Sequence, residues 1–285
     1  MKILITGSNG QLGSELKELA GGYPLYEFLY TDVNELDITD EASVTYFFAL
    51  HSPDVVINCA AYTAVDKAET DEETAYLINA LATGNLARAS AECGSFMVHL
   101  STDYVYDGRN HIPYTETDKI NPLSVYAKTK AAGEDAVHQA NGKAVIFRTS
   151  WLYSAFGNNF IKTMLKYGKE RDTLNVVFDQ VGTPTYARDL AKAILDTLPL
   201  AMTSEGIEVF HYSNEGVASW YDFAVAIHHF ANIDCKVNPI TTKDYPLPAE
   251  RPFYSVLDKS KIKMKLAIEI PYWRDSVKNC IDRLI

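Results

Sequence analysis

Cysteine is scarce in this sequence, and its spacing excludes a cysteine-based site. Four cysteines are scattered over 285 residues, and no two of them form a Cys-x-x-Cys pair. Zinc sites and disulfide frameworks depend on closely or regularly spaced cysteines. We therefore predict neither, and we interpret the four residues as reduced thiols that mostly fill the core.

Long apolar runs are missing as well. One lysine and a few apolar or small residues precede a glycine turn at the N-terminus, which is too short for the apolar region of a signal peptide. No run approaches the length of a membrane-spanning helix. These two features predict a cytoplasmic protein with no membrane partner.

Basic residues are fewer than acidic ones. The chain has 26 Lys and Arg residues against 37 Asp and Glu residues, a formal net charge of -11 and a pI near 5.1. Such a surface repels nucleic acids and anionic membranes, which excludes them as the main partner and favours a small-molecule substrate. The 47% hydrophobic and 22% charged residues are ordinary for a globular chain of one large or two smaller domains.

What the sequence does contain begins with a glycine-rich turn. Lys2 to Thr6 predicts a buried parallel strand, and apolar residues at helical spacing predict a helix after the turn. Glycines spaced Gly-x-x-Gly-x-x-Gly permit a tight turn, close approach of a pyrophosphate and close helix packing, and the helix amides then face the phosphates. A purely structural turn is the alternative. The predicted cofactor contacts of this unit are Gly7, Asn9, Gly10, Gln11, Leu12 and Gly13.

A second predicted strand, Tyr26 to Thr31, ends at Asp32. A carboxylate about twenty residues beyond the glycines binds the adenosine ribose hydroxyls of NAD and repels the 2′-phosphate of NADP. This favours NADH and leaves NADPH open. Asp37 and Ile38 are predicted to border the adenine, with a simple loop position as the alternative for Asp37.

Further strands alternate with helices along the chain. Their predicted ranges are Pro53 to Ala61, Phe96 to Leu100, Ala144 to Thr149 and, as the sixth sheet strand, Leu174 to Phe178. This rhythm predicts an α/β fold with a Rossmann-type, doubly wound parallel sheet, whose ligand lies outside the carboxyl ends of the strands. Ala60, Ala61 and Thr63 follow one such end, where small side chains let the cofactor lie against the backbone.

The strands also suggest how the chain divides into domains. We predict a dinucleotide-binding domain at residues 1–149 plus roughly 173–206. Residues 150–172 and 207–285 then form a smaller α/β substrate domain. In it, Trp220, Phe223 and Ile227 are interpreted as core residues of a helix, and the adjacent His228 and His229 face different ways, which excludes a shared metal.

The pair Tyr126 and Lys130 carries the predicted chemistry. Four residues apart on a helix, both side chains project from one face and can meet at a common substrate. A neighbouring ammonium favours the phenolate, so the lysine is expected to lower the ordinary tyrosine pKa of about 10. Thr102, at the end of the preceding strand, is placed to hold the same oxygen. The alternative is a half-buried tyrosine beside a solvated amine.

Together these motifs resemble the extended short-chain dehydrogenase/reductase superfamily. Within it, the chain is similar to the dTDP-4-dehydrorhamnose reductase family through four segments: Ala60 to Glu69, Ser101 to Tyr106, Phe147 to Trp151 and Gly157 to Phe160. The resemblance implies Thr102, Tyr126 and Lys130 as catalytic residues, with Tyr126 and Lys130 also touching the cofactor. It further implies that Thr102, Asp103, Tyr104 and Trp151 meet the sugar.

The reaction implied by the resemblance is reduction of the 4-keto group of dTDP-4-dehydro-L-rhamnose by NADH or NADPH. Tyr126 would protonate the ketone oxygen, Lys130 would lower the tyrosine pKa and bind the nicotinamide ribose, and Thr102 would orient the carbonyl. Arg251, in the proline-rich loop Pro246 to Pro252, is the basic group placed to reach the diphosphate. A surface arginine without a partner is the alternative.

Two other functions stay open. A nucleotide-sugar epimerase keeps the same catalytic trio but retains NAD through the turnover. A non-catalytic NAD(P)-binding regulatory subunit, similar to the beta subunit of methionine adenosyltransferase, keeps the fold alone. A 4,6-dehydratase is disfavoured because Tyr104 stands where those enzymes have a glutamate.

The resemblance also bears on assembly. Family members can pair through a magnesium ion held by glutamates, one of which matches Glu15, but Arg188 stands where a second acid is expected. A cation there opposes a metal. We therefore predict no metal site and a monomer or weak homodimer. Asn79, on the helix after the Thr63 loop, is interpreted as polar surface or as a buried amide that braces the strand below it.

Overall fold

The computed structural model describes residues 1–285. The strands are β1 (Lys2–Thr6), β2 (Glu27–Thr31), β3 (Val55–Asn58), β4 (Phe96–Thr102), β5 (Ala144–Thr149), β6 (Leu152–Tyr153), β7 (Thr173–Val177), β8 (Val181–Gly182), β9 (Thr185–Tyr186), β10 (Ile207–Tyr212), β11 (Ala218–Ser219) and β12 (Lys236–Ile240). The α-helices are α1 (Gln11–Leu19), α2 (Glu41–His51), α3 (Val65–Ala68), α4 (Glu72–Tyr76), α5 (Ala82–Cys93), α6 (Val125–Ala140), α7 (Phe160–Glu170), α8 (Ala187–Ala201), α9 (Trp220–Phe230), α10 (Ser260–Leu266) and α11 (Trp273–Asp282).

A six-stranded sheet in the order β10-β5-β4-β3-β1-β2 forms the centre of the molecule, and every neighbouring pair in it is parallel. The chain leaves β1 towards β2 on one side and later continues through β3 on the other. A crevice therefore opens at the carboxyl ends of β1 and β3, which is where such sheets bind ligands. The predicted α/β class with a doubly wound parallel sheet is confirmed.

Alternate side chains of the sheet enter two different apolar layers. On one face Ile3 and Ile5 pack with residues of α1 and α8. On the other face Leu4 packs with residues of α2 and α5. These side chains are fully buried, and burying one isoleucine or leucine contributes about 1.5–3 kcal/mol. The strands therefore read as continuous apolar runs, as the sequence predicted.

The sixth strand was predicted wrongly. Leu174 to Phe178 does not join the central sheet; β7 instead pairs with β12 in a separate two-stranded sheet, and β10 takes the sixth place beside β5. The side chains of β7 alternate between exposed and buried, a pattern of a strand covered on one face only. Residues 173–177 thus belong with the smaller unit and 207–212 with the larger one, which shifts the predicted division at these two segments.

The smaller unit has its own apolar core. Its buried cluster draws on α7, α9, α11 and β7, and it includes the fully buried Phe223 and Ile227, which were predicted as core residues. The cavity described below lies at the edge of this core. No helix in the molecule combines the length and apolar character needed to cross a membrane.

Candidate active site

The glycine turn is pressed between β3 and the start of α1. Gly7 has a φ of +63°, and a Cβ there would lie 2.7 Å from the Ala60 backbone. A Cβ on Gly13 would lie 2.5 Å from the Gly7 carbonyl oxygen. Because Gly10 caps α1 without any side-chain hydrogen bond, the first amides of this helix are left for an anionic ligand. The turn therefore fits the pyrophosphate of a dinucleotide.

Asp32 lies beside this turn, as predicted. One of its carboxylate oxygens accepts a hydrogen bond from the Asn9 amide at 3.1 Å, and the other accepts one from the Val33 amide at 2.9 Å. The Gln11 side chain turns away and accepts a hydrogen bond from Asn159 at 3.0 Å. The Leu12 side chain is buried in the core, so only its backbone faces the turn.

The two predicted adenine contacts lie in the segment after β2. Ile38 is buried against the apolar layer that contains Phe48. The exposed Asp37 carboxylate accepts hydrogen bonds from the Thr39 amide and hydroxyl at 2.9 and 2.7 Å. That both residues border the adenine stays a prediction.

The loop after β3 reaches the crevice and is braced from below. Ala60 and Ala61 are half-buried there, while Thr63 is exposed. Asn79 is fully buried; its side chain accepts a hydrogen bond from the Tyr62 amide and donates to the Tyr62 carbonyl and the Thr129 hydroxyl. The surface interpretation of Asn79 is wrong: it ties the loop to α6, from the π-helix Leu77–Leu81 between α4 and α5.

Helix α6 presents Tyr126 and Lys130 to the crevice. Ser124 caps its first turn, and the Glu69 carboxylate accepts a hydrogen bond from the Val125 amide at 2.9 Å. Lys130 is 2% exposed, and its ammonium donates to the Leu100 carbonyl of β4 at 2.6 Å. The helix start and the lysine are thereby fixed to the loop and the sheet.

Burial determines the protonation of both groups. It raises the pKa of Tyr126 to about 12; the Thr102 hydroxyl opposes this rise and Asp103 adds to it. It lowers the pKa of Lys130 to about 8, against the opposing charge of Glu134. The expectation that Lys130 lowers the Tyr126 pKa below 10 is wrong, because burial dominates. Tyr126 is therefore a neutral phenol at neutral pH and can donate a proton.

Thr102 and Asp103 stand at the end of β4, next to this phenol. The Thr102 hydroxyl accepts a hydrogen bond from the Tyr104 amide at 3.2 Å and donates one to Asp103 Oδ1 at 3.0 Å. Asp103 is 2% exposed, and burial raises its pKa to about 7. The Tyr104 ring lies edge-on to the Tyr126 ring, with centroids 5.6 Å apart.

A cavity of about 570 Å³ opens beside Tyr104 and extends into the smaller unit. Trp220 lines it and stacks on Trp151, with ring centroids 3.7 Å apart. Trp151 has a φ of +47°, a strained conformation for a residue with a side chain. Trp220 is thus half-buried at the cavity wall, and its interpretation as a pure core residue is corrected.

Arg251 also lines this cavity. One of its nitrogens, Nη2, donates to the Asp66 carboxylate at 2.7 Å, while Nη1 is buried without a partner. One terminal nitrogen of the Arg251 guanidinium is therefore bound to Asp66, and the other is free to bind a ligand. Asp66 was missed at the sequence level because an acid in the short helix α3 gives no sign of which distant cation it meets.

A buried ionic network beneath α6 was missed as well. Arg148 of β5 donates to both Glu134 carboxylate oxygens and to the Tyr106 hydroxyl. Tyr106 in turn lies 2.7 Å from His211 Nε2. Since Glu134 follows Lys130 by one turn, this network fixes the face of α6 that carries Lys130 against the sheet.

The region expected to hold a metal in the related enzymes is occupied by ion pairs. Glu15 is fully buried, and its carboxylate accepts hydrogen bonds from Arg188 at 3.1 Å and from Arg283 at 3.0 Å. Arg188 therefore neutralises Glu15, in line with its cationic character. No group of three or more His, Cys, Asp or Glu side chains is arranged to hold a metal. The His228 ring nitrogens lie near two backbone carbonyls instead.

A parallel sheet with a glycine turn at its first strand, and a tyrosine and lysine one helical turn apart at its carboxyl edge, define an oxidoreductase of the extended short-chain dehydrogenase/reductase class. Comparison with known proteins narrows this class. The family model described as the RmlD substrate binding domain matches residues 1–285.

Individual relatives agree over the whole length. A dTDP-4-dehydrorhamnose reductase from Aggregatibacter actinomycetemcomitans is 42% identical, covering 98% of this chain and 97% of that protein. The crystal structure of a dTDP-4-dehydrorhamnose reductase from Clostridium acetobutylicum superposes with a TM-score of 0.95 at 48% identity, covering 100% and 99% of the two chains. The Bacillus anthracis enzyme in complex with NADP gives a TM-score of 0.94 at 38% identity, with 99% of both chains covered. The chain belongs to the dTDP-4-dehydrorhamnose reductase family.

Proposed function

We propose that this protein reduces the 4-keto group of dTDP-4-dehydro-L-rhamnose to give dTDP-L-rhamnose, a precursor of rhamnose-containing polysaccharides. The observation that carries the proposal is the neutral phenol of Tyr126, fixed by α6 at the carboxyl edge of the sheet. Reduction of a ketone requires a proton donor at this point. A nucleotide sugar also suits the adjoining cavity, whose volume is in the range of small-molecule sites.

The residues of the glycine turn suit a nicotinamide dinucleotide. Gly7, Gly10 and Gly13 would admit the pyrophosphate to the start of α1, and Asp32 would bind the adenosine ribose. When bound, the nicotinamide supplies the hydride for C4 of the sugar. We propose NADH as the preferred form, because a 2′-phosphate would meet the Asp32 carboxylate; the Bacillus anthracis relative, crystallised with NADP, makes NADPH the necessary comparison.

Each side chain at the reacting carbonyl has a separate role. Tyr126 donates its proton to the ketone oxygen, and Thr102 orients that oxygen from the opposite side. Lys130 holds the nicotinamide ribose and keeps a positive charge near the phenolate that remains, which stabilises it. Its hydrogen bond to the Leu100 carbonyl fixes the ammonium for this task.

The sugar and diphosphate would lie on the cavity side. Tyr104, Asp103 and Trp151 border the position of the sugar. The free Nη1 of Arg251 suits a diphosphate oxygen, since a guanidinium binds phosphate through paired donors. Asp66 keeps the fork in place by holding Nη2.

Steady-state oxidation of NADH and NADPH tests the proposal. We expect both cofactors to be consumed with dTDP-4-dehydro-L-rhamnose, NADH with the higher kcat/KM. A tightly held NAD together with sugar epimerisation would instead indicate an epimerase. Cofactor binding without turnover on any 4-keto sugar would indicate a regulatory subunit.

A further inference from the structure

Asp103 is a buried acid with an unusual hydrogen-bonding pattern. It follows β4 directly and is 2% exposed. Its Oδ1 accepts the hydrogen bond from Thr102, but its Oδ2 is buried without a partner, and so is the hydroxyl of Ser255, which lies beside it. A carboxylate with an unpaired buried oxygen is costly. A protonated carboxyl would donate to the Ser255 oxygen instead.

Thr102 connects this carboxyl to the phenol of Tyr126. Its hydroxyl has one proton, so it donates either to Asp103 or to Tyr126 but not to both. While Tyr126 is protonated, the hydroxyl donates to Asp103 at 3.0 Å and can accept from the phenol. Once Tyr126 has lost its proton, the phenolate needs a donor, and the hydroxyl must reverse.

We propose that Asp103 sets the direction of the Thr102 hydroxyl and returns, through it, the proton that Tyr126 gives up in each turnover. The inference rests on the proposed reduction. Asp103 acts only through Thr102, so it is a positioning residue for that hydroxyl in this role. Its side chain must therefore be protonated when the Tyr126 phenolate recovers its proton.

The proton transfers require no reactant other than water. The Tyr126 O–H bond breaks as its proton passes to the ketone oxygen, whose carbon has received the hydride. The Thr102 proton then passes to the phenolate, the Asp103 carboxyl turns so that its protonated oxygen faces Thr102, and the Asp103 proton passes to Thr102. Asp103 is left as a carboxylate and takes one proton from water after the product leaves, which restores the starting state.

The surroundings of Asp103 support this exchange. Tyr104 adjoins it in the chain, Tyr126 faces it from α6, and the segment before α10 brings Ser255 to it and Arg251 to Tyr104. Burial raises the pKa of Asp103 to about 7, while the neighbouring Ser255 and Thr102 hydroxyls oppose the shift. The carboxyl thus gains and loses its proton near neutral pH, as an efficient donor must.

Stopped-flow oxidation of NADPH by Asp103→Asn tests the inference. The first turnover uses the proton already on Tyr126, whereas later turnovers need its return. We expect a burst of about one cofactor per active site, followed by a steady state slower than the burst by roughly tenfold or more. Wild-type protein should show no such burst. Asp189→Asn, which removes a half-buried carboxyl whose pKa is also raised by burial, is the control and should behave as wild type.

The pH dependence of the unmodified protein gives a second test that does not depend on a variant. As pH rises through about 7, Asp103 loses its proton, so multiple turnover should slow while the first turnover keeps its rate. Titration of Lys130, whose pKa is near 8, would slow both phases together. In Asp103→Asn the steady-state rate should no longer fall relative to the first-turnover rate as pH rises through about 7.

Three results would overturn the inference. The first is a steady-state rate of Asp103→Asn equal to that of wild type. The second is a slowed first turnover of Asp103→Asn without a burst. The third is a wild-type protein whose first-turnover and steady-state rates fall together as pH rises. The second result would indicate that Asp103 only binds the sugar. If wild-type protein oxidises no cofactor with the ketone, the proposed function fails, and the two failures are thereby distinguished.

Discussion

At the scale of single residues, burial keeps the proton on Tyr126, the proposed general acid, before the substrate binds. Tyr126 keeps its proton because its pKa is near 12, and Lys130 remains mostly charged at neutral pH with a pKa near 8. A reductase needs this combination: a neutral phenol to give a proton and a cation to stabilise the phenolate left behind.

Replacing Tyr126 by Phe removes the proton donor and little else. We expect Tyr126→Phe to lower kcat by about 10²–10⁴-fold, the usual contribution of a general acid, while the Kd for NADPH stays within about twofold of wild type. Turnover assays and fluorescence titration measure the two quantities. Turnover close to wild type would remove Tyr126 from the mechanism.

Asp103 should lower stability at alkaline pH. Its carboxyl ionises near 3.8 in the unfolded chain and near 7 in the folded protein. Between these values only the folded state holds the proton, so this group's contribution to stability falls as pH rises through the window. Asparagine does not titrate.

We therefore expect Asp103→Asn to gain stability relative to wild type as pH rises. At about 1.4 kcal/mol per pKa unit, the gain between about pH 5 and pH 8 is roughly 2–3 kcal/mol. Urea unfolding of both proteins at the two pH values measures it. A constant difference between the proteins would mean that the folded carboxyl titrates near its ordinary value.

Sequence reasoning selected the candidate catalytic residues but did not predict their environment. Thr102, Tyr126 and Lys130 follow from motif spacing, and the structure brings them to one crevice. The direction of the Tyr126 pKa could not be predicted, because it depends on how much of the ring is buried. The burial of Ile38 was not predictable either, because an apolar side chain after a strand can pack in the core or border the adenine equally well in sequence.

At the scale of elements, the position of α6 depends on a buried ion pair. The Arg148 and Glu134 side chains are 6% and 3% exposed, and they join β5 to the helix that carries Lys130. Removing one partner leaves an uncompensated buried charge, which costs about 3–5 kcal/mol.

Arg148→Met should therefore reduce the free energy of unfolding by about this amount in urea titrations, and it should also reduce kcat. Arg88→Met is the matched control, because Arg88 pairs with Glu41 on the surface, where both side chains are 49% or more exposed. Surface pairs contribute about 0–1 kcal/mol. Equal losses in both variants would show that the buried pair does not hold α6.

The elements themselves were largely predictable. β1, β3, β4 and β5 are largely apolar, buried runs that end in small or polar residues, and this pattern indicates their place in a parallel sheet. The exchange of β7 and β10 was not predictable, because both are short apolar strands after a helix. Which of them pairs with β5 is decided by tertiary packing, with Phe210 and Tyr212 filling the main core.

At the scale of the whole molecule, two groups of ion pairs join distant parts of the chain. Asp66 holds Arg251 near the cavity, and Glu15 and Glu18 of α1 pair with Arg188 and Arg283. Because two guanidinium groups already neutralise Glu15, a divalent cation has no net negative site to bind there. We therefore propose an assembly that does not depend on magnesium.

Chelation tests this proposal. The mass measured by light scattering and the rate of cofactor oxidation should be the same after EDTA treatment and after addition of magnesium. A change of mass or rate on chelation would contradict it. Either a monomer or a weak homodimer is compatible with the expected result, provided that its mass does not respond to the metal.

The most direct test of the central claim follows the hydride. NADH or NADPH carrying deuterium at the transferred position is incubated with dTDP-4-dehydro-L-rhamnose, and the sugar is analysed by mass spectrometry and NMR. We predict dTDP-L-rhamnose with one deuterium at C4 for each cofactor oxidised. A sugar product without deuterium, or an unconsumed cofactor, would contradict the assignment of this protein as a ketone reductase.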